Sequence, residues 1–187
     1  MRVHRECGAV AGDVGPLLSR GEESTTLLGL YVVVAAYSSI DAALADWDDV
    51  GRDPTIESNL IDAMLIERSE RQVKAIHGCL SRGWARGSVA SALVGRLSPS
   101  ALIDGAIAGG VGVGALRFIS RGLSRDAVNE LGRVFETGSF VTLAVVERGP
   151  AFTTTSYGAR ALGVASLPLQ GTAFELCDAV RADESEE

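Results

Sequence analysis

The sequence predicts an α+β fold: a ferredoxin-like split βαβ body with an inserted Gly/Ala-rich helical hairpin. Three observations point there. Apolar, β-rich runs at 30–36, 60–66, 140–146 and 164–169 are bounded by turn residues, as strands buried in a sheet are. Helical periodicity separates the first two runs and the last two, giving strand-helix-strand twice, the split βαβ order. Between the two halves, small residues recur at i, i+4 spacing on either side of a Ser98-Pro99 step.

Taken in order, residues 1–26 carry Gly, Glu, Ser and Thr without periodicity and read as a flexible arm. A single domain is expected over 27–181. Leu30 to Ala36 is a buried strand. Ser38 or Ser39 caps the following helix, in which Ile40, Ala43, Leu44 and Trp47 fall on one face. Asp46, Asp48 and Asp49 lie on its polar side, where carboxylates are ordinarily solvated. Gly51 to Pro54 ends it. Leu60 to Ile66 and Gln72 to Ile76 form a hairpin around the polar turn at 68–71. Ser124 caps a helix with Ala127, Val128, Leu131, Val134 and Phe135 as its stripe, closed by Thr137-Gly138-Ser139. A strand from Phe140 to Val146 follows, then a helix over about 155–162 and a strand at 164–169, where Pro168 marks an edge or an end. A last short helix places Phe174, Cys177 and Val180 together, and 182–187 is an acidic tail.

The inserted hairpin spans about 83–119. Its first arm carries Gly83, Gly87, Ser91 and Gly95. Its second runs from the Ser98-Pro99 step to about Phe118, with Ala101, Gly105 and Gly109 in one row and Ala106, Gly110 and Gly114 in another. A glycine inside a helix costs about 1 kcal/mol relative to alanine, so the five from Gly105 to Gly114 cost roughly 4–5 kcal/mol. Close approach of backbones, which only small residues permit, offsets such a cost. The two arms therefore pack against each other or against copies of themselves. Arg96 and Asp104 flank the bend and are placed to pair at the hairpin tip.

These residues carry a resemblance. Gly83-Trp84-Ala85-Arg86-Gly87, Leu93-Val94-Gly95, Leu97-Ser98-Pro99, the Gly/Ala run, Ile119 to Asp126 and Glu136-Thr137-Gly138-Ser139 are similar, in order, to the bacterial domain-of-unknown-function family twelve-sixty-nine. Its members are described as glycine-zipper or predicted membrane proteins. The similarity covers roughly 28–170 and is sharpest over 83–147. Arg86, Arg96 and Asp104 put charge where the family is more apolar, and the arm before residue 27 is extra. The family brings no established activity, so no catalytic residue is carried over.

Composition narrows the function classes. Hydrophobic residues make up 47% of the 187 and aromatics only 5%, so Ala, Val, Leu and Ile build the core. The net charge of −7 argues against a nucleic-acid partner, which needs a basic face. One lysine, Lys74, among seventeen basic residues reads as high-GC bacterial coding rather than arginine chemistry. Three widely spaced cysteines, Cys7, Cys79 and Cys177, suit a reducing cytoplasm better than a disulfide framework. The longest apolar stretch, Gly105 to Leu116, is short for a membrane span.

Chemistry-bearing patterns are sparse. Gly110, Gly112, Gly114 and Ala115 match a dinucleotide fingerprint by spacing, with Glu130 twenty residues beyond Gly110. That motif needs a turn between strand and helix, and here it sits inside a small-residue row. His77 and Cys79 lack further ligands for a tetrahedral metal. With His4 in the arm, any Ser-His-Asp arrangement would rest on His77 alone. The expectation is a non-enzymatic protein without cofactor or metal, self-assembling into a homo-oligomer through Gly83, Gly87, Ser91, Gly95, Ala101, Gly105, Gly109, Gly110 and Gly114. Two alternatives stand beside it: a peripheral or re-entrant protein at the inner face of the cell membrane, and a regulatory module that binds a small ligand.

Overall fold

A computed structural model describes residues 29–69, 72–78, 88–97, 102–103, 113–147 and 158–184. The elements are β1 (Leu30–Tyr37), α1 (Ile40–Arg52), α2 (Pro54–Asn59), β2 (Leu60–Arg68), β3 (Gln72–Gly78), α3 (Ser88–Leu97) and β4 (Leu102–Ile103). They continue with α4 (Val113–Gly122), α5 (Arg125–Thr137), β5 (Phe140–Glu147), β6 (Gly163–Leu169) and α6 (Ala173–Glu184). The mixed α+β class follows directly.

Six strands form one sheet in the order β4-β3-β2-β5-β1-β6. All neighbours are antiparallel except the two-residue contact of β4 with β3, Gln72 opposite Leu102 and Val73 opposite Ile103. β1 and β2 both pair with β5, so they run parallel on either side of it, joined by α1 and α2. The central strands are buried on both faces, which is why they read as nearly continuous apolar runs rather than alternating ones.

The two faces are covered unequally. α1 and α2 lie on one, over Val33, Ala35, Ala63, Leu65, Ala144 and Val146. On the other, α3, α4, α5 and α6 bury Val32, Val34, Met64, Ile66, Leu143 and Val145. Serine caps start two of the helices. The Ser39 hydroxyl accepts the Ala42 N–H at 3.3 Å, and the Ser124 hydroxyl accepts the Ala127 N–H at 3.1 Å. α6 opens on a reciprocal box, with the Thr172 hydroxyl accepting from the Glu175 N–H at 3.2 Å and the Glu175 carboxylate from the Thr172 N–H at 2.8 Å. At the far end of α5, the Arg68 guanidinium donates to the carbonyls of Glu136 (2.7 Å) and Gly138 (3.2 Å), as a cation suits a helix C-terminus.

A bulge in β2 redirects one side chain. Leu60 faces Val146 and Asp62 faces Val145, so Ile61 is the extra residue. Asp62 alternates with Met64 and Ile66 on the α3 side, and the extra residue puts Leu60 on the opposite, α1 side. The Asp62 carboxylate accepts the Ala90 N–H at 2.9 Å. A fully buried carboxylate thus meets the electropositive first turn of α3. α3 itself is enclosed on all sides: Val89 to Val94 are six consecutive buried residues. Ala90, Ser91 and Ala92 keep it thin enough to fit between the sheet, α4 and α5.

Several expected boundaries shift. Leu102–Ile103 is extended where the second hairpin arm was expected to be helical, and α4 (Val113–Gly122) runs past Phe118. Residues 158–162 form a turn, not the end of a helix, with Gly158 at φ +97°. α2 was not foreseen; it fills the span after the Asp53-Pro54 stop. In α6 the inward side chains are Leu176 and Val180, while Phe174 is exposed. That helix also reaches Glu184, so the acidic tail begins inside it.

Candidate functional site

A concavity lies between α4 and α6. Two rows of α4 side chains at i, i+4 spacing line it: Gly114, Phe118 and Gly122, and beside them Val113, Arg117 and Arg121. α6 contributes Glu175, Ala179 and Ala182, and Gln170-Gly171 closes one end. The groove measures about 880 Å³, within the range of sites that hold a small molecule or a peptide segment. Gly171 adopts φ +115°, and a β-carbon there would stand 2.5 Å from the Phe118 ring, so glycine is required where the chain turns from β6 into α6. Glu175 is engaged in the α6 cap. Arg117 and Arg121 have no hydrogen-bond or ion-pair partner among the described residues, and the described lining carries these two guanidiniums and the Glu175 carboxylate.

A polar cluster lies on the opposite face, under α1. The buried Asp46 carboxylate accepts the Arg160 backbone N–H at 3.0 Å and also its guanidinium. The same guanidinium reaches the exposed Asp49 at 2.9 Å. These contacts lift the Arg160 guanidinium further above its ordinary value, first through Asp46 and then through Asp49. They also clamp the 158–162 turn onto α1. Beneath lies Tyr37, whose hydroxyl accepts from the Thr142 hydroxyl at 3.3 Å. Burial pushes the Tyr37 phenol well above the usual tyrosine range; the Thr142 hydrogen bond opposes this, and the Asp46 charge adds to it. The adjoining cavity is only about 10 Å³, too small for anything larger than a water molecule.

Of the residues singled out in the sequence, Ser91 is buried within α3, Gly95 and Arg96 are half-buried near its end, and Gly114 is half-buried in α4 at the groove. Gly83, Gly87, Ala101, Asp104, Gly105, Gly109 and Gly110 lie outside the described residues, and so does the Arg96–Asp104 pair. The described parts of the two small-residue stretches, α3 and α4, do pack against each other. The fingerprint residues Gly110 and Gly112 also fall outside, while Ala115 is buried in α4 and Glu130 is exposed on α5. His77 is exposed and stacks on Trp47, with ring centroids 6.2 Å apart. Cys79 lies outside the described residues.

Sequence reasoning missed the groove and the Asp46 clamp. The first had a signal, an i, i+4, i+8 row of Val113, Arg117 and Arg121. The second had none, because Arg160 is 114 residues from Asp46. Asp46 is accordingly corrected from a solvated carboxylate to a buried, doubly engaged one. Among the described residues no cluster of three His, Cys, Asp or Glu side chains could hold a metal ion, and no helix is long and apolar enough to cross a membrane. No family model, curated protein or solved structure matches the chain.

Proposed function

We propose that the protein works by binding rather than catalysis, as a bacterial, non-enzymatic module that self-associates through its α4–α6 face. One observation carries the reading. Among the described residues four large apolar side chains are exposed, and three of them, Val113, Leu116 and Phe174, stand on α4 and α6. Val113 lines the groove while Leu116 and Phe174 stand outside its lining, and exposed apolar side chains on two neighbouring helices are the ordinary signature of an interaction surface. Under this reading the self-association surface is the outward side of α4. The α3 stretch supports it from within, since Ala90, Ser91 and Ala92 let α4 sit close over the sheet.

The order β6-β1-β5-β2, antiparallel throughout and crossed by α1, supports reading the body as a ferredoxin-like split βαβ sheet. The intervening α3 and α4 then belong to the inserted Gly/Ala-rich hairpin, in keeping with the resemblance to family twelve-sixty-nine. A cytoplasmic setting is part of the same proposal. Light scattering of the full chain tests it: the wild type is expected at a multiple of the monomer mass and Leu116→Glu, which puts a charge at the exposed face, at the monomer mass. A monomeric wild type would remove self-association as the function.

A further inference from the structure

The groove between α4 and α6 ends blind on one side. There the Gln170 N–H donates to the Gly122 carbonyl at 3.0 Å, and Gly171 lies against the Phe118 ring. A closed end and a volume of about 880 Å³ suit a small molecule better than a chain passing through.

Arg117 and Arg121 stand one turn apart on α4, about 6 Å along its axis. Both line the groove, and neither has a hydrogen-bond or ion-pair partner among the described residues. Arg52, Arg68 and Arg160, by contrast, each engage a carboxylate or a carbonyl. The acid in the described lining does not answer the two guanidiniums. Glu175 is held at the start of α6, where its carboxylate accepts the Thr172 N–H at 2.8 Å and the Thr172 hydroxyl at 3.1 Å. Two forks of N–H donors therefore stand beside an apolar surface to which Val113, Phe118 and Ala179 contribute.

The donor set selects the anion. A carboxylate brings one charge and two oxygens, and a single guanidinium satisfies it. A phosphate monoester brings about −1.5 to −2 charge at neutral pH and three acceptor oxygens, enough for both arginines. We propose that the groove binds a small phosphate monoester with an aromatic or otherwise apolar body, its phosphate between Arg117 and Arg121 and its body against Phe118. This site goes beyond self-association and does not depend on it.

Titration of the full chain with naphthyl phosphate, read by amide chemical shifts, tests the site, with inorganic phosphate and naphthol as its two parts. Naphthyl phosphate is expected to shift amides of α4 and α6 and to bind at least tenfold more tightly than either part. Arg117→Gln and Arg121→Gln, both at exposed positions, are each expected to weaken it about tenfold, the scale of one charge-assisted hydrogen bond. Arg133→Gln makes the same change of charge on the exposed side of α5 and is expected to leave binding unaltered. Ala182→Phe, which puts a ring into the groove, is expected to weaken naphthyl phosphate and to spare inorganic phosphate. Absence of shifts at millimolar naphthyl phosphate overturns the proposal. Equal losses in Arg133→Gln and Arg117→Gln, or inorganic phosphate binding as tightly as the ester, also overturn it, because they reduce the groove to a general attraction for anions. Light scattering of the same samples keeps the two readings apart: a monomer that binds the ester removes self-association alone.

Discussion

Gly138 provides the sharpest test of the packing described here. It follows α5 and precedes β5, with extended backbone that any residue can adopt (φ −122°). Its constraint is space. A β-carbon at this position would stand 2.6 Å from both the amide nitrogen and the carbonyl oxygen of Tyr37. To restore ordinary contact, the Tyr37 backbone must retreat by about 0.8 Å. It has nowhere to go: Tyr37 is in register with Phe140, and the preceding Ala36 carbonyl accepts the Leu162 N–H at 2.7 Å. Overpacking of this kind costs about 1–3 kcal/mol, and a backbone obstacle puts it at the upper end. Loss of glycine's freedom in the unfolded chain returns about 0.4–1 kcal/mol. Gly138→Ala is therefore expected to destabilise by about 2 kcal/mol net, lowering the melting temperature by about 4–8 °C for a chain of this length. Gly132, in the middle of α5, has nothing within 4 Å of the same added atom. There the helical preference for alanine is unopposed, and Gly132→Ala is expected to stabilise by about 0.5–1 kcal/mol. Urea unfolding of both variants decides the matter. A neutral Gly138→Ala, or the two substitutions shifting stability in the same direction, would refute the close approach of the α5–β5 turn to β1.

Two further outcomes follow from the cluster under α1. Asp46→Ala removes the acceptor of two Arg160 donors from a buried position, whereas Asp49→Ala removes one contact from an exposed one. The first is expected to lower the melting temperature by several degrees and to speed amide exchange at Arg160, and the second to leave both nearly unchanged; equal effects would dissolve the clamp. Tyr37 has its ionisation raised by folding, so it contributes stability that is fully present below the ordinary tyrosine value near pH 10 and is lost as pH climbs toward the folded one. Unfolding free energy is thus expected to decline above about pH 10, with a shallower decline in Tyr37→Phe. Denaturant titrations at several alkaline pH values give the comparison, and parallel slopes for the two proteins would remove Tyr37 as the cause.

What the sequence determined by itself is the set of elements whose signals are local. β1, β2 and β5 announce themselves as apolar runs because the helices on both faces leave no solvent side to alternate with. Ser39 and Ser124 announce the helices they cap, because a cap bonds only within its own first turn. Tertiary structure decided whatever depends on partners far along the chain. Asp46 reads as a surface carboxylate until the turn carrying Arg160 is folded over it. Leu60 would share the α3 face with Met64 by strict alternation, and one extra residue in β2 turns it to α1. Phe174 and Leu176 are equally apolar, and only the seat of α6 on the sheet chooses Leu176 for burial. The groove, likewise, exists only once α4 and α6 lie side by side. Hydrogen-bond ladders and helical spacing act over a few residues and are written in order; burial and charge pairing act across the folded interior, where order along the chain no longer says which groups meet.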